Sequence, residues 1–509
     1  MQVTATDSTL LARLGVALGL VLATSCSKQE VDVGEDVLQG GECDLHGSAE
    51  DPEARVCAEG LVCEPLAGRE SYVCGPPVLI RGQIFDALEG FPLAGAYVTA
   101  LDHTGAPQSD VAVTDITGSY ELAVSALRTA DGELLDDAIY TLQVFAADYQ
   151  PFPYGVRPAL PINTAEAFVE TDTIVDDETE EAREVKYLVV ENPTTSVAML
   201  LLPDAERGGA TIFGAVGGEF PGGTLVVAEG GAEPAPYGIA DLSGKYVIFN
   251  VQPGSVSVVG YRYGLELESA TVAVSGGQYD DVDLVAIAEG EPNLGRVEGT
   301  ISIVNAPGGS ATSVVLVPTS VFNPVFELGP VPFGLREPEP GEPFNVTSGY
   351  TIEGVPAGTY KVLAAFENDL LVRDPDFSIG GTDLQEVTVG RGEVVGVDEN
   401  FKITEALGIV SPGAEVPEHV AGAPTFIFAD DSSENFYYLT VYDALGRLTW
   451  EDPMVPRVTG SPTVEVPYGG EALLPGMYYQ FRVTSWKDGN PEPSPISRTE
   501  DLRGVFIAD

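Results

Sequence analysis

From Val78 onward, apolar and polar residues alternate with a period of two, and the alternation is broken by Gly, Pro and Asp. Tyr479, Phe481 and Val483 alternate with Gln480, Arg482 and Thr484, and Tyr140, Leu142, Val144 and Ala146 follow the same rule. Successive side chains of a strand face opposite ways, so this pattern predicts half-buried strands of antiparallel sheets. The 58 glycines and 38 prolines supply the turns between them. Helix is expected only in the apolar run Leu14–Ser25 and in the stretch near Ala126–Asp137.

The strands recur in a shared order. The first unit reads Arg81-Gly-Gln-Ile-Phe-Asp, Pro92-Leu-Ala-Gly-Ala-Tyr-Val98, Thr114-Asp-Ile-Thr-Gly-Ser-Tyr120 and Tyr140-Thr-Leu-Gln-Val144. The second reads Thr211-Ile-Phe-Gly-Ala-Val, Gly222-Gly-Thr-Leu-Val-Val, Asp241-Leu-Ser-Gly-Lys-Tyr246 and Pro253-Gly-Ser-Val-Ser-Val258. The third reads Gly295-Arg-Val-Glu-Gly-Thr, Ser313-Val-Val-Leu-Val, Ser348-Gly-Tyr350 and Pro356-Ala-Gly-Thr-Tyr-Lys-Val362. Tyr246 and Tyr350 precede Gly254 and Gly358 by the same interval. The closing strands Val272-Ala-Val274 and Val387-Thr-Val389 match at one constant offset, as do Val282-Asp283 and Val397-Asp398. A fixed order at fixed offsets means serial modules. A glycine before the aromatic lets the chain turn tightly and then bury the ring.

These motifs resemble the carboxypeptidase regulatory-like domain, a transthyretin-like β-sandwich grouped with carbohydrate-binding-like folds. The resemblance covers roughly Val78 to Leu407. It implies accessory modules that act as a stalk or a binding platform and not as a catalyst. Related collagen-adhesin stalk modules lock themselves with a Lys–Asn isopeptide bond, but no lysine stands on the first strands here, so none is expected. Two long insertions interrupt the pattern, Val124–Asp137 in the first unit and the Pro- and Glu-rich Phe322–Phe344 in the third. From Gly408 to Asp509 the aromatic strands read as a seven-strand sandwich that looks like a fibronectin type III or immunoglobulin-like domain. Its aromatics are expected mostly in the core, and an exposed cluster of them would mark a binding face.

The run Leu14–Ser25 has the length of a signal-peptide core and is too short to span a bilayer comfortably. The small residues Ala23, Thr24 and Ser25 then precede Cys26, which resembles the bacterial lipobox, where the first mature cysteine is diacylated. The resemblance implies lipid attachment at Cys26 and a chain exported to the bacterial envelope, at the outer membrane or cell surface. An ordinary secretory signal with Cys26 as a bystander is the alternative. With Cys26 set apart, Cys43, Cys57, Cys63 and Cys74 are expected to form two disulfides, in any of three pairings. No C-x-x-C pair favours a zinc site there. The expected organisation is a signal peptide at 1–25, an acidic tether at 26–42 and a cysteine-rich segment at 43–75. Sandwich modules follow at 78–205, 206–290 and 294–407, and the fibronectin III/immunoglobulin-like domain at 408–509.

Charge excludes one class of function. Acidic residues number 78 against 24 basic, a net charge of −54, so nothing could neutralise the phosphates of a nucleic acid. The excess serves solubility by self-repulsion, weak calcium binding by carboxylate loops, or attraction of a cationic partner. The densest run, Asp172–Glu181, reads as a solvated loop, and no Asp-x-Asp-x-Asp-Gly loop occurs.

Catalytic chemistry finds little footing. His46, His103 and His419 lie in three different segments, and Gly-x-Ser-x-Gly, His-Glu-x-x-His and phosphate-loop motifs are missing. His103 falls in a turn, Ala100-Leu-Asp-His-Thr-Gly105. Gly390-Arg-Gly392 reads as a hairpin turn. The sequence thus predicts an all-β chain of serial antiparallel sandwich modules after a small disulfide-stapled segment. The predicted role is that of a non-catalytic surface lipoprotein binding a carbohydrate or a protein, with a membrane contact through its lipid and no catalytic or metal residues. A scaffold subunit of an envelope complex and an accessory module of a hydrolytic system are the alternatives.

Overall fold

The computed structural model describes residues 37–509 apart from 45–54, 59, 70, 136–137, 176–181, 288–292, 305–311, 365–369 and 490. The signal-peptide span, Cys26, most of the tether and His46 lie outside the described residues. The fold is all-β, a succession of antiparallel β-sandwiches, and the only helical pieces among the described residues are short 3₁₀ turns such as Pro193–Thr195.

At the start, the short strands Glu42–Cys43, Tyr72–Gly75 and Val62–Pro65 make one three-stranded sheet. Its disulfides join Cys43 to Cys63 and Cys57 to Cys74. The segment docks on the first insertion. Arg128, fully buried, pairs with Glu64 at 2.6 Å, and Glu64 also accepts from the Ala126 N–H. The stretch near Ala126–Asp137 is therefore not helical in its described part. It is irregular chain with bridges from Arg128 to Leu66 and Leu134, because its buried groups satisfy the neighbouring segment instead of a helical ladder.

The three repeat units share one register that explains their motif. The first strand of each pairs antiparallel with the strand carrying the repeat tyrosine, and a glycine stands opposite that tyrosine each time. The pairs are Gly82 with Tyr120, Gly214 with Tyr246, and Gly299 with Tyr350. A Cβ on Gly299 would sit 2.2 Å from the Tyr350 hydroxyl oxygen, and one on Gly214 would sit 2.0 Å from the Val282 carbonyl. The glycine leaves the space across which the ring lies. Tyr120 then donates to the Thr195 carbonyl at 2.6 Å, and Tyr246 donates to that of Val282. A closing strand runs parallel to the first strand in every unit: Val197–Met199, Gln278–Tyr279 and Phe401–Glu405.

Part of the acidity is spent on turns. Oδ1 of Asp115 accepts from the N–H groups of Thr117 and Ser119, and Gly118 completes the turn at φ 72°. Asp102, Asp241 and Asp443 cap equivalent turns. Such side-chain caps replace the backbone bonds that a turn leaves unmade. His103 lies exposed inside the Asp102 turn. Asp172 and its neighbours correct the reading of that run as a loop. They continue the strand Phe168–Val175, which pairs with Ala182–Val190, while 176–181 lie outside the described residues. Gly390–Arg391–Gly392 is a tight turn between Glu386–Val389 and Val394–Gly396.

Among its described residues the last module has nine strands where seven were expected. The extra ones are short, Ile409–Ser411 and Glu418–Val420, pairing with Thr425–Ala429 and Val505–Ala508. Phe426, Phe428, Tyr437, Phe481 and Phe506 fill its core, and the rings of Phe426 and Phe481 are 4.7 Å apart. Phe436 and Trp486 stack, half-buried, on the other face.

Candidate binding site at the module junction

The modules do not run out in a line. The second and third share one apolar cluster, in which Leu225, Val227 and Tyr261 pack with Tyr360 and Val362. The first meets the second through Tyr97 against Phe213 and Phe249, and Phe145 edge-on to Tyr237. The first also reaches the last: Gln150 Nε2 donates to the Ala444 carbonyl at 2.9 Å. The buried Arg157 guanidinium lies 4.9 Å from the Tyr478 ring centroid.

The insertion Phe322–Phe344 holds this junction together. It has no strand period, so sequence gave it no role beyond an interruption. Its Asn323 folds the chain locally, since Oδ1 accepts from the N–H groups of Val325 and Phe326. The amide Nδ2 then donates to the Tyr154 hydroxyl of the first module at 3.1 Å. Phe326 is fully buried beside Gly155, where a Cβ would come within 2.9 Å of the ring. Arg482 of the last module donates to the Val325 carbonyl at 2.6 Å. Glu327 lies between Arg373, at 2.9 Å, and Arg498, at 2.8 Å. Burial alone would push its carboxyl up, but the two guanidinium charges outweigh burial and hold it down at about 2. On the opposite flank the Arg262 guanidinium of the second module covers the ring of Phe333.

Beside this insertion the four modules enclose a cavity of about 350 Å³. Five rings wall it: Phe145, Tyr149 and Tyr154 from the first module, Tyr237 and Phe249 from the second. Gln150, Asn250, Gln252 and Asn323 supply amides, and the exposed Glu206 and Glu233 also line it. No Lys, Arg or His is among the described lining residues. Asn250 is committed to the fold: its Oδ1 accepts from Asp148 N–H and its Nδ2 donates to the Tyr149 carbonyl. Gln150 is not fully committed. Its Nε2 is taken by the Ala444 carbonyl, and Oε1 has no hydrogen-bond partner, although the residue is only 4% exposed. Leaving a buried acceptor unpaired costs about 1–3 kcal/mol. Burial pushes the phenols of Tyr154 and Tyr237 up, and Tyr149 up to about 12, so all three remain protonated at neutral pH.

A second cleft, of about 750 Å³, lies between the second and third modules. Some of its polar groups are already engaged, while the buried Thr319 Oγ1 has no hydrogen-bond partner. Glu229 Oε1 accepts from Tyr261 and Ser320, and Arg391 pairs with Glu266 at 2.6 Å. Among the described residues the one convergent set of three metal-ligand atoms is Cys43, Cys57 and Cys63, which are oxidised in the disulfides. His419 Nδ1 is 2.8 Å from Asp509 Oδ1, on the surface. No helix among the described residues is long and apolar enough to cross a membrane.

No family model and no curated protein matches the chain. Several solved structures are similar to parts of it. Two B repeat units of the collagen-binding protein of Staphylococcus aureus align over 85% of this chain and 99% of theirs, at 9% identity and a TM-score of 0.18. The major pilin subunit of Bacillus cereus aligns over 64% of this chain and 99% of its own, at 10% identity and a TM-score of 0.16. Hydroxyquinol 1,2-dioxygenase from Pseudomonas putida aligns over 25% of this chain, at 12% identity and a TM-score of 0.16, and the match spans 57% of that enzyme. Superpositions this poor carry no argument about function.

Proposed function

We propose that this is a non-catalytic exported lipoprotein, anchored through Cys26, whose sandwich modules bind a carbohydrate or protein ligand at the cell surface. The observation that carries the binding reading is the junction cavity. Three modules and the insertion of the third converge to build it, and a stalk of the same modules needs no such convergence. Aromatic walls with a few placed polar groups are the ordinary make-up of a ligand cleft.

Two measurements test this. Mass spectrometry of the mature N-terminus should find residues 1–25 removed and Cys26 carrying a diacylglyceryl group, and an unmodified Cys26 would overturn the anchor. Retention on glycan and protein arrays should be lost when Tyr237→Ala opens the cavity wall. Retention on neither array would leave a structural role in place of a binding one.

A further inference from the structure

We propose that the junction cavity takes the terminal ring of a neutral saccharide, with Gln150 Oε1 accepting from a sugar hydroxyl and the Tyr237 and Tyr154 hydroxyls donating to it. This rests on the binding reading above and narrows its ligand.

The donors and acceptors define the class. The Ala444 carbonyl can only accept, so it fixes the Gln150 amide with nitrogen toward the last module and leaves Oε1 as the free acceptor. The Tyr237 hydroxyl makes no hydrogen bond to a described residue. The Tyr154 hydroxyl already accepts from Asn323 and so has its proton to give. A lining residue with a spare acceptor and two with hydroxyl donors suit a group that both gives and takes hydrogen bonds, as a hydroxyl does.

Charge narrows the class further. No cation lines the cavity, Glu206 and Glu233 are exposed lining residues, and the net charge of −54 surrounds it, so uronic, sialic and phosphorylated sugars are repelled. The space, about 350 Å³, lies at the small end of ligand clefts and suits one or two rings. Five aromatic walls suit the apolar C–H faces of such rings.

The test uses the mature full-length chain, titrated by calorimetry with three sets of probes. These are neutral oligosaccharides ending in glucose, galactose or N-acetylglucosamine, their uronic or sialylated counterparts, and a tyrosine- and proline-containing peptide. A neutral saccharide should bind, and its affinity should fall at least tenfold in Tyr237→Phe and in Gln150→Leu. Tyr237→Phe removes one oxygen and leaves the packing intact, so it guards against a folding defect in the glutamine variant. The proposal is overturned if only acidic sugars bind, or if neutral sugars bind equally well to both variants. Binding of the peptide alone, weakened by Tyr237→Phe, would refute the sugar and keep the cavity as a ligand site. Binding of no probe would refute the sugar, and array retention lost in Tyr237→Ala would then separately decide the broader reading.

Discussion

Gly299 and Tyr350 make the clearest single test of how the repeat works. The three atoms nearest a Cβ at Gly299 all belong to the Tyr350 side chain, so Gly299→Ala should destabilise the chain by about 1–3 kcal/mol through overpacking. Adding Tyr350→Leu should recover part of that loss. A urea titration of the two variants reads both effects, and an alanine variant as stable as wild type would refute the role. The tyrosines were legible in the sequence, because a buried aromatic follows each turn. Their cross-strand glycines were equally visible at matching places in the first strands, but their purpose was not. Which residue stands opposite which is fixed by register, and register is a tertiary property. Gln150 is the harder case. It sits in an ordinary polar position, and only the fold shows that one end of its amide is taken and the other left over.

At the scale of elements, strands were readable and insertions were not. Alternation reports which face of a strand is buried, whereas a Pro- and Glu-rich stretch has no period to report. Both insertions nonetheless carry contacts between units, Arg128 toward the stapled segment and Glu327 toward the last module. The cysteine pairing was open for a related reason, since spacing cannot rank three connectivities. Glu327 supplies a pH test. Its folded value, about 2, lies below the ordinary 4.5, so its contribution to stability is whole above about pH 4.5 and is lost as pH falls toward 2. Comparing urea midpoints at pH 5.5 and 3.0, wild type should lose more stability than Glu327→Gln. Equal losses would mean that the carboxylate does not work against Arg373 and Arg498.

For the whole molecule, the sequence foretold serial modules but not that they fold back on one another. Contacts between the first and last modules depend on surfaces with no period of their own, such as Gln150 beside Ala444. A closed arrangement should give a radius of gyration in solution near the compact value for a chain of this length, about 24 Å. Small-angle scattering at moderate salt measures it, and a value typical of four sandwiches end to end would refute the closure. Moderate salt matters because a net charge of −54 repels itself over about 10 Å at 0.1 M.

The insertion at Phe322–Phe344 has a practical consequence for anyone who dissects this chain. Sandwich modules invite expression one at a time, yet the second and third would each lose part of a core that they share. None would keep the cavity, whose walls are contributed by separate modules and whose flank is closed by a loop belonging to a third. A fragment survey would therefore lose the cavity at the first cut, and a blank binding result would describe the cut and not the protein.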